Sequence, residues 1–152
     1  MPARIRTVDD MISNVSLISV HCLDVDASRD FYVDKLGFEV RADLTLGDGY
    51  RWTTVGHPEQ PELEIHLNVP GPPLSDEASE FVKRQLQSGG WGGFGLNTDD
   101  CRTTHKDLVA KGVEFLQDPT DRPYGVEAVM RDNSGNWIVM VERREYSPAD
   151  FD

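Results

Sequence analysis

Two kinds of apolar pattern follow each other along residues 15–69. The β-branched run at 15–23 predicts a strand, and apolar residues at helical spacing in 27–36 predict an amphipathic helix that ends at Gly37. Three further strands are expected after this helix, over FEVRADLTL, YRWTTVG and ELEIHLNV. This half of the chain therefore predicts a β-α-β-β-β module.

The same order of elements returns in residues 91–146. Gly37 and Gly112 each follow a predicted helix, and they lie about half the chain apart. The pattern predicts a strand, a helix and three strands, over FGLNTDD, CRTTHKDLVAKG, VEFLQD, VEAVMRD and WIVMVER, with PTDRPYG as a loop. We expect a tandem repeat, because neither copy buries the face of its sheet alone.

Residues 70–90 are expected to link the two modules and to contain an extra helix at 75–88. The segment GWGGFG, at 90–95, follows this helix and fits the G-x-G-x-x-G spacing of a dinucleotide-binding loop. Such a loop needs a strand before it and a helix after it, and here the order is reversed. The glycines therefore do not predict a nucleotide site.

Composition limits the classes of partner. The 152 residues favour one compact domain, and the net charge of −12 argues against nucleic acid and anionic membranes as partners. No apolar run reaches the roughly 20 residues of a membrane span, and MPARIRTVDD does not resemble a signal peptide. We expect a cytoplasmic protein in which Cys22 and Cys101 are free, buried thiols.

Two longer segments carry a family resemblance. DVDASRDFYVDKLGFEV and PYGVEAVMRDNSGNWIVMVE resemble the beginning and the end of vicinal oxygen chelate proteins, which include glyoxalase I, extradiol dioxygenases and bleomycin-resistance proteins. The resemblance covers residues 15 to 145. It implies an α+β fold in which two βαβββ modules form paired half-cup sheets around one cavity.

The resemblance also indicates where metal-binding relatives carry their ligands. The four positions correspond to Leu17, His66, Gly93 and Val139, and only the histidine can bind a metal. A catalytic zinc takes about three protein ligands, so the resemblance implies a protein without metal or other cofactor. A displaced site that draws on His21, Glu64 or His66 is the alternative.

What remains is a candidate ligand cavity. The period of two along a strand places a set of polar and aromatic side chains on inner faces, and we predict that it binds the ligand: His21, Trp52, Glu64, His66, Asn97 and Trp137. Aromatic rings beside carboxylates suit a planar or cationic molecule. The alternative is that Trp52 and Trp137 belong to the core.

These observations favour a glyoxalase/bleomycin-resistance-like binding protein without metal. We expect it to sequester an aromatic or cationic antibiotic or metabolite in a cleft between the two copies of a homodimer. A metal-dependent lyase or dioxygenase with a shifted metal site is the alternative function. A divergent member that has lost its ligand is a third.

Overall fold

The computed structural model describes residues 7–152. The expectation of a cytoplasmic protein rests partly on residues 1–6, which lie outside this described part. No helix within residues 7–152 is long and apolar enough to cross a membrane.

The first module is preceded by one short helix. Its elements, with that helix first, are α1 (Val8–Met11), β1 (Leu17–His21), α2 (Val25–Asp30), β2 (Glu39–Thr45), β3 (Arg51–Gly56) and β4 (Glu64–Asn68). Asp24 caps α2 by accepting a hydrogen bond from the Ala27 amide at 2.9 Å. The helix predicted over 27–36 is α-helical only as far as Asp30, because the chain widens into a π-helical turn at Phe31–Lys35. Gly37 then adopts a φ of 76°, where a residue without Cβ is favoured.

The extra helix and the second module follow. Their elements are α3 (Asp76–Ser88), β5 (Trp91–Asn97), α4 (Cys101–Ala110), β6 (Phe115–Arg122), β7 (Gly125–Arg131) and β8 (Asn136–Arg143), with a 3-10 turn at Pro148–Phe151. Strand β6 continues through Pro119, where the sequence predicted a loop. Proline is tolerated there because β6 is an edge strand whose register with β7 shifts between Gln117 and Thr120.

Each module forms its own four-stranded sheet. The strand orders are β1-β4-β3-β2 and β5-β8-β7-β6, so the first strand of each module lies beside the last. These first and last strands are parallel, and the other pairs are antiparallel. The prediction of a glyoxalase-like α+β fold with two βαβββ modules is confirmed.

One hydrophobic core spans both modules on the helix side of the sheets. Tyr32 of the π-helical turn is fully buried and stacks on Phe94 of β5, with ring centroids 6.1 Å apart. The strands contribute every second residue to this core: Val20, Ile65 and Leu67 in the first module, and Ala128, Met130, Ile138 and Met140 in the second. The intervening side chains lie on the opposite face of each sheet, which we call the open face.

A buried carboxylate also joins the modules. Oδ1 of Asp132 accepts hydrogen bonds from the backbone amides of Ser134, Gly135 and Asn136. Its Oδ2 accepts from the Tyr32 hydroxyl and from the Asn136 side chain, both at 2.8 Å. Burial first, and then the charge of Asp132, raises the pKa of Tyr32 well above its usual value, so this phenol remains a donor.

The glycines of residues 90–95 have a packing role. A Cβ on Gly93 would lie 1.5 Å from the backbone oxygen of Trp137, because β5 approaches β8 closely at a register shift. A Cβ on Gly95 would meet only the Val139 oxygen, at 3.9 Å. A side chain is therefore excluded at Gly93, the position that the resemblance implies for a metal ligand.

Candidate functional site

The open face of the first module centres on His66 of β4. Its imidazole stacks on the Trp52 indole, with ring centroids 4.1 Å apart and planes inclined by 25°. Ser19 Oγ lies 3.5 Å from Nδ1, and the Tyr50 hydroxyl lies 3.3 Å from Nε2. The strand register explains this cluster, because His66 pairs with Ser19 of β1 and with Thr54 of β3.

His66 is nearly enclosed, with 5% of its surface exposed. Burial first, and then the neighbouring His21, lowers its pKa below the usual value of 6.5. The ring is therefore neutral at pH 7. A neutral imidazole packed on an indole offers a ligand a flat aromatic wall with one polar edge.

Other polar groups on this face are already bonded to each other. Glu64 Oε1 accepts from the Thr54 hydroxyl at 2.7 Å, and Asn68 Oδ1 accepts from the Tyr50 hydroxyl at 3.2 Å. Tyr50 and Asn68 also line a cavity of about 430 Å³ at the end of the sheet. The sequence indicated Tyr50 as a strand residue but did not predict its contact with His66.

His21 lies at the seam where β1 meets β5. Its ring centroid is 6.3 Å from that of Trp91, and its Nδ1 is 3.4 Å from the backbone oxygen of Asn68. His21 and Trp91 line a cavity of about 300 Å³ together with Ser19 and Gly93. Trp91 was not among the predicted ligand residues, and its place beside His21 depends on how the two modules pack.

The open face of the second module is different in chemistry. Asn97 Oδ1 accepts a hydrogen bond from Arg143 Nε at 2.8 Å. Trp137 lies on β8 and leaves 38% of its surface exposed, so it is not a core residue in the single chain. Within residues 7–152, no hydrogen bond or ring contact joins Asn97 or Trp137 to the Trp52–His66 pair. The structure thus stacks Trp52 on His66 and keeps Glu64 on the same strand as His66. It places His21 at the seam and leaves Asn97 and Trp137 on a separate sheet.

The C-terminal segment adds aromatic rings that the sequence pattern did not indicate. Tyr146 and Phe151 pack at 5.5 Å, and Phe151 stacks on Tyr124 at 6.3 Å. Tyr124 and Tyr146 line a cavity of about 340 Å³ beside Val141 and Arg143. Strand periodicity offers no signal for this contact, because Tyr146 and Phe151 lie beyond the last strand.

The comparisons with known proteins agree with this architecture. A family model described as the Glyoxalase/Bleomycin resistance protein/Dioxygenase superfamily matches residues 16–140. The chain belongs to this superfamily. The resemblance seen in the sequence is thereby confirmed.

Two solved structures are similar to this chain in sequence and in fold, and a further relative is similar in sequence. The chain is 39% identical to UcmS2, with a TM-score of 0.80 over 87% of this chain and 99% of that one. It is 28% identical to TnmS3, an antibiotic binding protein from Streptomyces sp. CB03234, with a TM-score of 0.70 over 88% and 98% of the two chains. An uncharacterized protein of Shewanella frigidimarina is 29% identical over 82% of this chain and 90% of its own.

Metalloenzymes of the superfamily raise the question of a metal site. Within residues 7–152, no group of three His, Cys, Asp or Glu side chains is arranged to hold a metal ion. At the positions that correspond to ligands, Leu17 and Val139 offer no donor atom, and Gly93 has no room for a side chain. The residues present therefore do not fit the catalytic metal of the superfamily's enzymes.

The two cysteines do not supply nucleophilic chemistry either. Cys22 and Cys101 are free and almost fully buried. Burial raises the pKa of Cys22 to about 11 and also raises that of Cys101. Both thiols are therefore protonated at neutral pH and inert.

Proposed function

We propose that this superfamily member is a metal-free binding protein that sequesters an aromatic small molecule on the open faces of its two sheets. The observation that carries the proposal is the Trp52–His66 stack, a flat wall in the middle of the first open face. His21, Glu64, Asn97 and Trp137 are the other proposed ligand residues. TnmS3, which is described as an antibiotic binding protein, supports an antibiotic or a related metabolite as the ligand.

Tryptophan quenching tests this function directly. A panel of aromatic antibiotics is titrated against the full chain, and compounds that quench are remeasured by calorimetry with Trp52→Ala and Trp137→Ala. Loss of one stacking ring is worth about 0.5–1.5 kcal/mol beyond its buried area, so each variant should weaken binding at least several-fold. Phe81→Ala is the control, because Phe81 is an exposed ring on α3. Equal binding by all four proteins would place the ligand elsewhere.

We also propose that a second copy of the chain completes the site. Three large apolar side chains on the open faces remain exposed in the single chain: Leu17 at 39%, Leu44 at 55% and Trp137 at 38%. A second copy of the chain packed against these faces would remove this apolar surface from water. Light scattering should show a dimer that Leu44→Glu converts to a monomer, while Val109→Glu on α4 leaves it intact. A monomeric wild type would contradict this part of the proposal.

A lyase or dioxygenase would need a metal, so metal analysis separates the two functions. We expect substoichiometric zinc, iron, nickel and manganese after purification without chelator, and no rise in melting temperature when they are added. One equivalent of metal that disappears in His66→Ala would favour the enzyme instead. The buried free thiols are compatible with a reducing compartment, and we propose the cytoplasm.

A further inference from the structure

Arg143 extends from β8 on the open face of the second module. Ile138 and Met140 of this strand enter the core, so the alternation places Val141 and Arg143 on the other side. The guanidinium is held in position, because its Nε donates to Asn97 Oδ1 at 2.8 Å. Asn97 itself belongs to β5, next to β8 in the sheet. Within residues 7–152, the remaining guanidinium donors of Arg143 make no hydrogen bond.

Arg143 also lacks an acidic partner among residues 7–152, which is unusual for the arginines of this range. Seven of the nine arginines in residues 7–152 lie within 4.0 Å of a carboxylate. The two exceptions in this range are Arg84, on α3, and Arg143. In a protein of net charge −12, an arginine that is fixed in place yet unpaired is a candidate for binding an anion from outside.

The surroundings of Arg143 suit an aromatic ligand. A cavity of about 340 Å³ is lined by Tyr124, Val141, Arg143, Arg144 and Tyr146. Arg144 is paired with Asp121 at 3.3 Å, so Arg143 is the unpaired cation of the cavity. Two tyrosine rings and a valine provide the flat apolar contacts around it.

Glu127, which pairs with Val141 across β7 and β8, is already engaged. Glu127 accepts hydrogen bonds from the Tyr124 hydroxyl and, at 3.3 Å, from Gln117 Nε2, and it lies 3.7 Å from Arg122. The hydrogen bond to Glu127 is the largest cause that raises the pKa of Tyr124, so the phenol stays neutral beside the cavity. Glu127 therefore has little capacity left to neutralise Arg143.

We propose that Arg143, held by Asn97, binds a carboxylate or similar planar anionic group of the ligand while its aromatic part lies against Tyr124 and Tyr146. This inference rests on the proposed function and narrows the ligand to an anionic aromatic molecule. It differs from the cationic ligand that aromatic rings beside carboxylates suggested in the sequence, because the charge at the cavity decides which ion binds. A guanidinium matches a carboxylate with two parallel hydrogen bonds.

A matched pair of probes tests the inference: 9-anthracenecarboxylate and its neutral amide, 9-anthracenecarboxamide. Both are titrated by calorimetry into the full chain, into Arg143→Gln and into Arg84→Gln. A hydrogen bond to a charged group implies that the wild type binds the carboxylate at least about tenfold more tightly than the amide. Arg143→Gln should lose this preference and keep its affinity for the amide. Arg84→Gln should behave as the wild type, since it removes the same charge from the other unpaired position.

Two results would overturn the inference and leave the binding function standing. One is equal affinity of the wild type for both probes. The other is an equal loss of preference in Arg143→Gln and Arg84→Gln, which would show only a long-range effect of charge. If neither probe binds while the antibiotic panel gives hits, the anionic class is wrong. If no aromatic compound binds in either experiment, the proposed function fails together with the inference.

Discussion

The two modules share one plan and differ on one face. Asp24 and Asp100 cap α2 and α4 in the same way, through hydrogen bonds from the amides three residues ahead. This equivalence aligns Ser19 and His66 of the first module with the paired residues Gly95 and Val139 of the second. His66, which stacks on Trp52, therefore corresponds to Val139, and Ser19 corresponds to Gly95.

The difference shows which constraint acts on each side of the sheets. The helix side must fill a shared core, so both modules keep apolar residues there. The open faces carry no such requirement, and there the first module has the Trp52–His66 stack while the second carries Arg143. A repeated unit can thus supply two unlike halves of a binding surface.

The two modules stabilise the loop before their last strand with side chains of opposite charge. Removing these side chains is expected to have the largest effect on stability. Before β8, the buried Asp132 accepts backbone and side-chain donors; before β4, Arg41 donates to the carbonyls of His57, Gln60 and Pro61. Asp132→Ala leaves several buried donors without an acceptor and should lower the free energy of unfolding by about 3–5 kcal/mol. Arg41→Ala, at a partly exposed site, should cost about 1–2 kcal/mol. Urea unfolding of both variants measures the difference, and equal losses would contradict it.

A second test concerns the strand that begins each module. Gly93→Ala places a Cβ against the Trp137 oxygen, so we expect a loss of about 1–3 kcal/mol in the free energy of unfolding. The matched control is Gly95→Ala, two residues along the same strand, which has ordinary contact distances. Thermal melts of the two variants should separate clearly. If they melt together, the close approach of β5 to β8 is not as described.

The third test uses pH and addresses the first module alone. The pKa of His66 is lowered in the folded chain, so its contribution to stability is complete above about pH 6.5, the usual value of the unfolded chain. This contribution to stability is lost as the pH falls from about 6.5 through the lower pKa that His66 has in the folded chain. The free energy of unfolding should therefore drop less between pH 7 and pH 5 in His66→Gln than in the wild type. Identical slopes would mean that folding does not affect His66 protonation.

The smallest difference between the modules is expected for the reactivity of their cysteines, because both thiols are buried. Cys22, with a pKa of about 11, and Cys101, whose pKa is also raised, should react very slowly with a thiol reagent at pH 8. Both should react quickly once the chain is unfolded in guanidinium. Fast reaction of one thiol in the native protein would show that its module opens locally.

Much of the fold could be predicted because its determinants are local. The strand and helix periods, the caps at Asp24 and Ser75 and the helix ends at Gly37 and Gly89 are all readable from a few neighbouring residues. The same period of two placed Trp52 and His66 on one face, and the structure joins them in a stack.

What the sequence could not predict depends on distant parts of the chain. The exclusion of a side chain at Gly93 requires the position of the Trp137 backbone, and the cavity at Arg143 requires the C-terminal residue Tyr146 to lie beside Tyr124. The π-helical turn at Phe31–Lys35 was missed because α- and π-helical turns share nearly the same apolar spacing over so few residues.

The bond between Tyr32 and Asp132 also has a consequence for the order of folding. The two residues are 100 positions apart, so during synthesis the first module leaves the ribosome long before the acceptor of its buried phenol exists. Until then the Tyr32 ring also lacks Phe94, its stacking partner in β5. The first module should therefore complete its packing only when the second arrives, and the chain should unfold in one cooperative transition. A fragment cut after α3 should remain loosely packed and bind hydrophobic dyes.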